Sequence, residues 1–270
     1  MNHELYQSIL CDMAELARRE AGASGKLNIS AETKALLDRI GPPTSVPVPT
    51  PANATESSRH EVLRESSAPA PAPAAAPTTP APDDALSCIA DEVERCEKCP
   101  LWRTRTHTVP GEGSPHADLV FVGEAPGASE DRTGRPFVGR AGQLLTDIII
   151  KGMRMKRTDV FICNVLKCRP PDNRTPNPEE VTQCEPYLLR QLSAIRPKAI
   201  CALGAVAAGT LLKTKAPIKQ LRGHWHNYHD IPLRVTYHPA YLLRNPEDKK
   251  KAWEDIQEVM ALLSGKITLE

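Results

Sequence analysis

Along the second half of the chain, apolar residues switch between two periods. ADLVFVG (117–123), DVFICNVLK (159–167), KAICALG (198–204) and LRVTYHP (233–239) are short, nearly continuous apolar runs. Such runs read as strands covered on both faces. Between them lie segments with apolar residues at helical spacing: SCIADEVERC (87–96), GRAGQLLTDIIIKGM (139–153), NPEEVTQCEPYLLRQLSAI (177–195), AVAAGTLLK (205–213) and PEDKKKAWEDIQEVMALLSG (246–265). Ser87 is the candidate N-cap of the first, Asn177 with Pro178 introduces the third, and Gly265 ends the last. PIKQLRGHWHNYHDIP (217–232) fits a loop or a hairpin. Strands alternating with helices predict an α/β fold with a four-stranded parallel sheet flanked by helices, because parallel neighbours need crossover connections.

Ligands of such sheets bind beyond the carboxyl ends of the strands. Those ends carry Gly123 and Glu124, Asn164, Gly204 and His238, so a carboxylate, an amide and an imidazole share one crevice. The stretch VGEAPGASEDRTGRPFVGRAGQLL (122–145) opens onto it. Five glycines, two prolines and an acidic cluster separate its strand from its helix, which predicts a long irregular loop of the kind that serves function.

Composition divides the chain. Eleven of the 26 prolines fall between Gly41 and Pro82, among Ala, Ser and Thr. Such a segment has too little apolar surface to offset its chain entropy. The expected organisation is therefore an N-terminal segment (1–40), a disordered Pro/Ala-rich linker (41–85) and a domain (86–270). Within the first segment Leu5, Ile9, Leu10, Met13, Leu16 and Ala17 recur at helical spacing, as in a helix that docks on its own domain or on a partner. The net charge of +1 conceals an asymmetry: 7 basic against 11 acidic residues through Asp84, then 27 against 22. A mildly basic domain suits a polyanionic partner without demanding one.

The N-terminus lacks the basic and apolar blocks of a signal peptide, and no run approaches the length of a membrane span. The expectation is a cytoplasmic monomer with no membrane partner. Eight cysteines in that setting point to metal ligands or free thiols. Cys96 and Cys99 form C-x2-C, and Cys168 and Cys184 are the other candidate pair. Four thiolates suit zinc or an iron–sulfur cluster, and spacing does not choose between them. Cys163 and Cys201, inside predicted strands, read as small buried apolar residues.

GEAPG followed by SED, RPFVGRAG, NVLKCRP and YHPAYLLRNP together resemble, in order, the family 4 uracil-DNA glycosylases, the iron–sulfur branch of the uracil-DNA glycosylase superfamily. The likeness runs from about Cys96 to Leu262. It implies a DNA repair hydrolase that flips uracil out of single- or double-stranded DNA and leaves an abasic site, in a nucleoid-associated location. It implies a 4Fe-4S cluster on Cys96, Cys99, Cys168 and Cys184, with zinc as the alternative. Gly123 and Ala125 would then line the pocket, Phe137 would stack on the base, Asn164 would read its N3 and O4 edge, and Glu130 would guard C5. His238 would donate to O2, while Glu124 would serve the reacting sugar and water with Lys167 as its ion-pair partner. Leu242, Leu243 and Arg244 would wedge the duplex, and Arg140, Arg169 and Arg174 would meet phosphates. The alternatives are a non-catalytic DNA-binding or polymerase-associated module, and a glycosylase for another deaminated base. Family resemblance does not reach the N-terminal segment, for which a repair or replication protein is the candidate partner.

Overall fold

The computed structural model describes residues 81–269. The N-terminal helix expected over residues 2–21 and the linker through residue 80 lie outside them. Among the described residues eight α-helices, α1 (Pro82–Glu94), α2 (Ala128–Thr133), α3 (Arg140–Asp147), α4 (Pro178–Ile195), α5 (Ala205–Leu211), α6 (Ile218–Leu221), α7 (Pro239–Arg244) and α8 (Lys249–Leu263), accompany six strands. The strands are β1 (Glu112–Gly113), β2 (Leu119–Gly123), β3 (Phe161–Asn164), β4 (Ala199–Leu203), β5 (Trp225–Tyr228) and β6 (Ile231–Thr236). They form one sheet in the order β1-β3-β2-β4-β6-β5.

The four inner strands are parallel, as the alternation of elements predicts. The sheet is larger than four strands because two antiparallel edges extend it. β1 pairs with β3, and β5 forms a hairpin with β6. Neither edge is visible as an apolar run: β1 is two residues long, and WHNY presents one buried side chain, Tyr228. The hairpin turns through His229 and Asp230, both in the left-handed region (φ 49° and 64°). That geometry matches the twist of the two strands.

Alternation along the buried strands creates two apolar layers. Val120, Val122, Ile200, Ala202, Leu233 and Val235 pack with Leu188 and Leu192 of α4. Leu119, Phe121, Ile162 and Cys201 pack with Leu145 of α3 and Ile256 and Val259 of α8. Cys163 and Cys201 are buried in strands, as expected of small apolar residues.

Helix ends follow local chemistry, with one exception. Asn177 and Glu180 form a capping box on α4, with Pro178 in its first turn. Gly265, at φ 70°, follows α8. The first domain helix, however, begins at Pro82 rather than after Ser87, so residues 82–85, expected in the linker, form its first turn. Pro82 needs no amide donor there, and Asp83 and Asp84 complement the helix dipole. Among the described residues no helix is long and apolar enough to cross a membrane.

Candidate functional site

The carboxyl ends of β2 and β3 lie side by side, with Gly123 paired to Asn164. The ladder continues past them: Val165 N donates to Gly123 O and Leu166 N to Glu124 O, each at 3.0 Å. Glu124 is thereby held at the lip of the crevice. Ala125 is partly buried and packs onto the core. A Cβ on Gly123 would collide with Asn164 Oδ1 and with the ring of Phe137. Glycine is what lets these two side chains meet over the strand end.

Asn164 is 2 % exposed, and its Oδ1 has no hydrogen-bond partner. A buried, unsatisfied acceptor costs about 1–3 kcal/mol, a cost that a ligand N–H would remove.

Phe137 lies across the same space, its ring centroid 5.7 Å from that of His238. Its backbone is in the left-handed region (φ 50°), a strained setting for an aromatic residue that surrounding contacts must enforce. Two clamps do so. Arg157 Nη2 donates to Pro136 O at 2.5 Å, and Glu130 Oε1 accepts from Val138 N and Gly139 N, both at 2.9 Å. Gly142 leaves room for the Phe137 backbone, which any Cβ there would strike. Arg157 is itself held by Thr146 Oγ1 and lies near the Glu112 carboxylate, which also grips Arg135. The stretch is therefore less irregular than its composition predicts: it contains α2 and is pinned on both sides of its aromatic residue.

His238 caps α7. Its Nδ1 accepts from Ala240 N at 3.1 Å, so the ring proton resides on Nε2. Burial is the main cause that lowers its pKa to about 4; nearby Arg244 adds to the shift and Glu130 opposes it. At neutral pH the site thus holds a neutral imidazole donor. Gly204, at φ 93°, sits directly beneath, with its would-be Cβ 2.8 Å from that of His238. Burial likewise raises the pKa of Glu124 above the usual carboxylate range. Among the described residues no hydrogen bond holds its carboxylate.

Two expectations need correction, the Lys167–Glu124 ion pair and the Leu242 wedge. Lys167 is not an ion-pair partner of Glu124: its Nζ donates to Asn164 O (2.8 Å) and Gln191 Oε1 (2.7 Å). Leu242 is 1 % exposed and packs with Tyr237 and Ala252, whereas Leu243 is 40 % exposed. One residue along a helix turns the side chain by roughly 100°, so Leu243 and the exposed Arg244 can face a duplex and Leu242 cannot. Arg174 is forked onto Glu180, and Arg169 bonds Asn173, while Arg140 stands exposed at the start of α3. Glu130 spends one oxygen as the clamp described above; the other points toward Gly127, where a Cβ would lie 2.9 Å from it.

The four cysteines come together. Cys96 follows α1, Cys99 precedes the turn Pro100–Arg103, Cys168 follows NVLK and Cys184 lies on α4; all line one cavity with Arg105 and Tyr187. Arg105 Nη1 donates to Cys168 Sγ (3.3 Å) and Lys167 N to Cys184 Sγ (3.2 Å). Burial raises the thiol pKa of Cys99, Cys168 and Cys184, the last to about 12. Among the described residues no three His, Cys, Asp or Glu side chains are grouped to hold a single metal ion.

Arg157, Gly142 and Lys167's true partners carry no local sequence signal. Arg157 reaches Pro136 from 21 residues away and Lys167 reaches Gln191 across 24, while Gly142 is needed only because Phe137 is held at positive φ.

The family model described as the Uracil DNA glycosylase superfamily matches residues 110–257. A type-4 uracil-DNA glycosylase of Saccharolobus solfataricus is 45% identical over 196 residues, covering 69% of this chain and 91% of the relative. One from Thermotoga maritima is 44% identical over 185 residues, 67% of this chain and 96% of the relative. A type-5 uracil-DNA glycosylase of Pyrobaculum aerophilum is 34% identical over 177 residues, 59% and 76% of the two chains.

Proposed function

The chain belongs to the uracil DNA glycosylase superfamily, and from that membership and the geometry of the crevice we propose that it is a DNA repair hydrolase that excises uracil. The observation that carries the reading is the buried, unpartnered Oδ1 of Asn164, which meets Phe137 over Gly123, with the neutral His238 on the other side of the Phe137 contact. A base in a duplex is out of reach, so the nucleotide is flipped at a cost of roughly a few kcal/mol. Stacking on Phe137 offsets about 1–3 kcal/mol of it. Asn164 accepts from uracil N3–H and offers its amide N–H to O4, a donor and acceptor pair that cytosine mismatches in this orientation.

Cleavage of the glycosidic bond leaves negative charge on the base and positive charge on the sugar. His238 Nε2–H, aimed at O2, stabilises the first, and a neutral donor avoids burying a cation before the charge develops. Glu124 faces the sugar side, where its carboxylate stabilises the cation and orients water. The free oxygen of Glu130 meets the C5 edge. Leu243 fills the vacated stack, with Arg244 beside it.

Gly123→Ala tests the convergence of the pocket. The added methyl displaces Asn164 and Phe137, and kcat/KM on uracil DNA should fall on the order of 10²-fold while thermal unfolding stays cooperative. Leu242 and Leu243 separate core from wedge. Leu242→Ala should cost about 2–5 kcal/mol in denaturant unfolding. Leu243→Ala should change stability by less than about 0.5 kcal/mol yet slow excision from duplex more than from single strands.

The cysteine cavity suits an iron–sulfur cluster. It presents four thiols, and N–H groups already point at two of the sulfurs, the kind of bond that tunes such clusters. Bound there, it would serve structure, joining α1, α4 and the segment after β3 through Cys96, Cys99, Cys168 and Cys184. Residues 1–40 serve in this reading as a tether for a repair or replication protein. Truncation to residue 81 should leave excision unchanged and abolish capture of that partner.

The deciding experiment is a gel assay with oligonucleotides containing uracil, hypoxanthine or a thymine mismatch, cleaved by alkali after incubation. Strand scission at uracil is expected. No scission by metal-replete protein would overturn the reading, and preference for hypoxanthine would move it to another deaminated base.

A further inference from the structure

Lys167 is 1 % exposed, yet among the described residues no carboxylate meets it. Its Nζ donates to the carbonyl of Asn164 at 2.8 Å and to Gln191 Oε1 at 2.7 Å, and Gln191 Nε2 is in turn spent on Pro110 O at 2.8 Å. Two neutral dipoles do not balance a buried ammonium, whose desolvation costs several kcal/mol unless an opposite charge is close. What lies close is sulfur. The main-chain N–H of Lys167 donates to Cys184 Sγ at 3.2 Å, and the charge of its ammonium reaches that same sulfur; Cys168 is the next residue in the chain.

Resting on the cluster reading above, we propose that Lys167 is the buried counter-ion of the metal–thiolate cluster and the positioning residue that ties it to Asn164. Four thiolates outweigh the positive charge of an iron–sulfur core, as they do that of a zinc ion, so either group is anionic as bound. The backbone of Lys167 holds a cysteine sulfur while its side chain folds back over three residues to hold the main chain of the base reader. Loss of the metal group would leave the ammonium uncompensated directly behind Asn164. The cluster thereby supports the reading end of the pocket without touching the base.

Two variants separate charge from contact. Lys167→Met removes both the charge and the bond to Asn164. Gln191→Glu leaves Lys167 and its bond to Asn164 in place but supplies a carboxylate that neutralises the charge locally. Wild-type protein is first analysed for iron, sulfide, zinc and visible absorption. Each variant, after its fold is checked by circular dichroism and thermal unfolding, is challenged with chelator and the loss of metal followed. Both variants should lose metal on the order of tenfold faster than wild type. Only Lys167→Met should also weaken inhibition by free uracil while binding to abasic-site DNA stays unchanged. If Lys167→Met does not fold, Gln191→Glu alone decides the charge. Metal loss at the wild-type rate in a folded variant would overturn the proposal. Wild-type protein without any metal would overturn it together with the cluster reading, whereas metal-loaded wild type with unaffected variants would overturn the role of Lys167 alone.

Discussion

His238→Asn is expected to cut uracil excision by about 10²- to 10³-fold, the usual effect of removing one preorganised donor from a developing oxyanion. The substitution is conservative where it should be. Asn can accept from Ala240 N as the imidazole Nδ1 does and is itself a good N-cap, so α7 stays anchored while the Nε2–H is lost. Single-turnover rates on a uracil oligonucleotide measure the first effect. A second readout concerns pH. In the folded protein the imidazole has a pKa of about 4, against roughly 6.5 in an unfolded chain. Between these values the unfolded chain binds a proton that the buried ring refuses, so stability falls as pH drops through that window, by up to about 3 kcal/mol. Above pH 6.5 the contribution of this group is flat. His238→Asn cannot titrate, and its denaturant midpoint should depend less on pH between 6.5 and 4. Equal pH dependence in the two proteins would rule out a buried neutral imidazole.

Glu124→Gln is expected to lower turnover by on the order of 10²- to 10⁴-fold with little change in DNA affinity, measured by fluorescence anisotropy on an uncleavable uracil analogue. Gln keeps the shape and removes the charge that would face the sugar cation. Burial raises the pKa of Glu124, so in wild type the ionised, active form should be lost as pH falls through a value above the ordinary carboxylate range. The acid limb of the rate profile should disappear in Glu124→Gln, leaving a low, pH-independent rate. Near-normal turnover would remove Glu124 from the chemistry and direct attention to the other crevice carboxylate, Glu130.

These two residues illustrate what could be read without coordinates. A strand run ending in Gly123–Glu124 and another ending before His238 suffice to bring carboxylate and imidazole to one edge, because parallel strands separated by helices admit few arrangements. The proton on Nε2 could not be read, since it depends on the bond from Ala240 N. Nor could the absence of Lys167 from Glu124, since a long side chain three residues past a strand end can turn to either face.

By itself the sequence determined whatever is local or periodic: the four parallel strands, the capping box of α4, the Gly265 stop, the crevice residues and the order of the motifs. Tertiary structure decided whatever depends on facing and distance. It put Leu242 in the core and Leu243 in solvent, completed the sheet with one edge too short to register and decided for the hairpin over the loop at the other, and set Arg157 and Glu130 around a strained Phe137. It also buried the Lys167 ammonium, which no carboxylate meets among the described residues. The physical reason is common to all of these. Hydrophobic period specifies which face of an element is covered, but a hydrogen bond or charge pair between residues distant in the chain is selected only when packing brings them within about 3 Å.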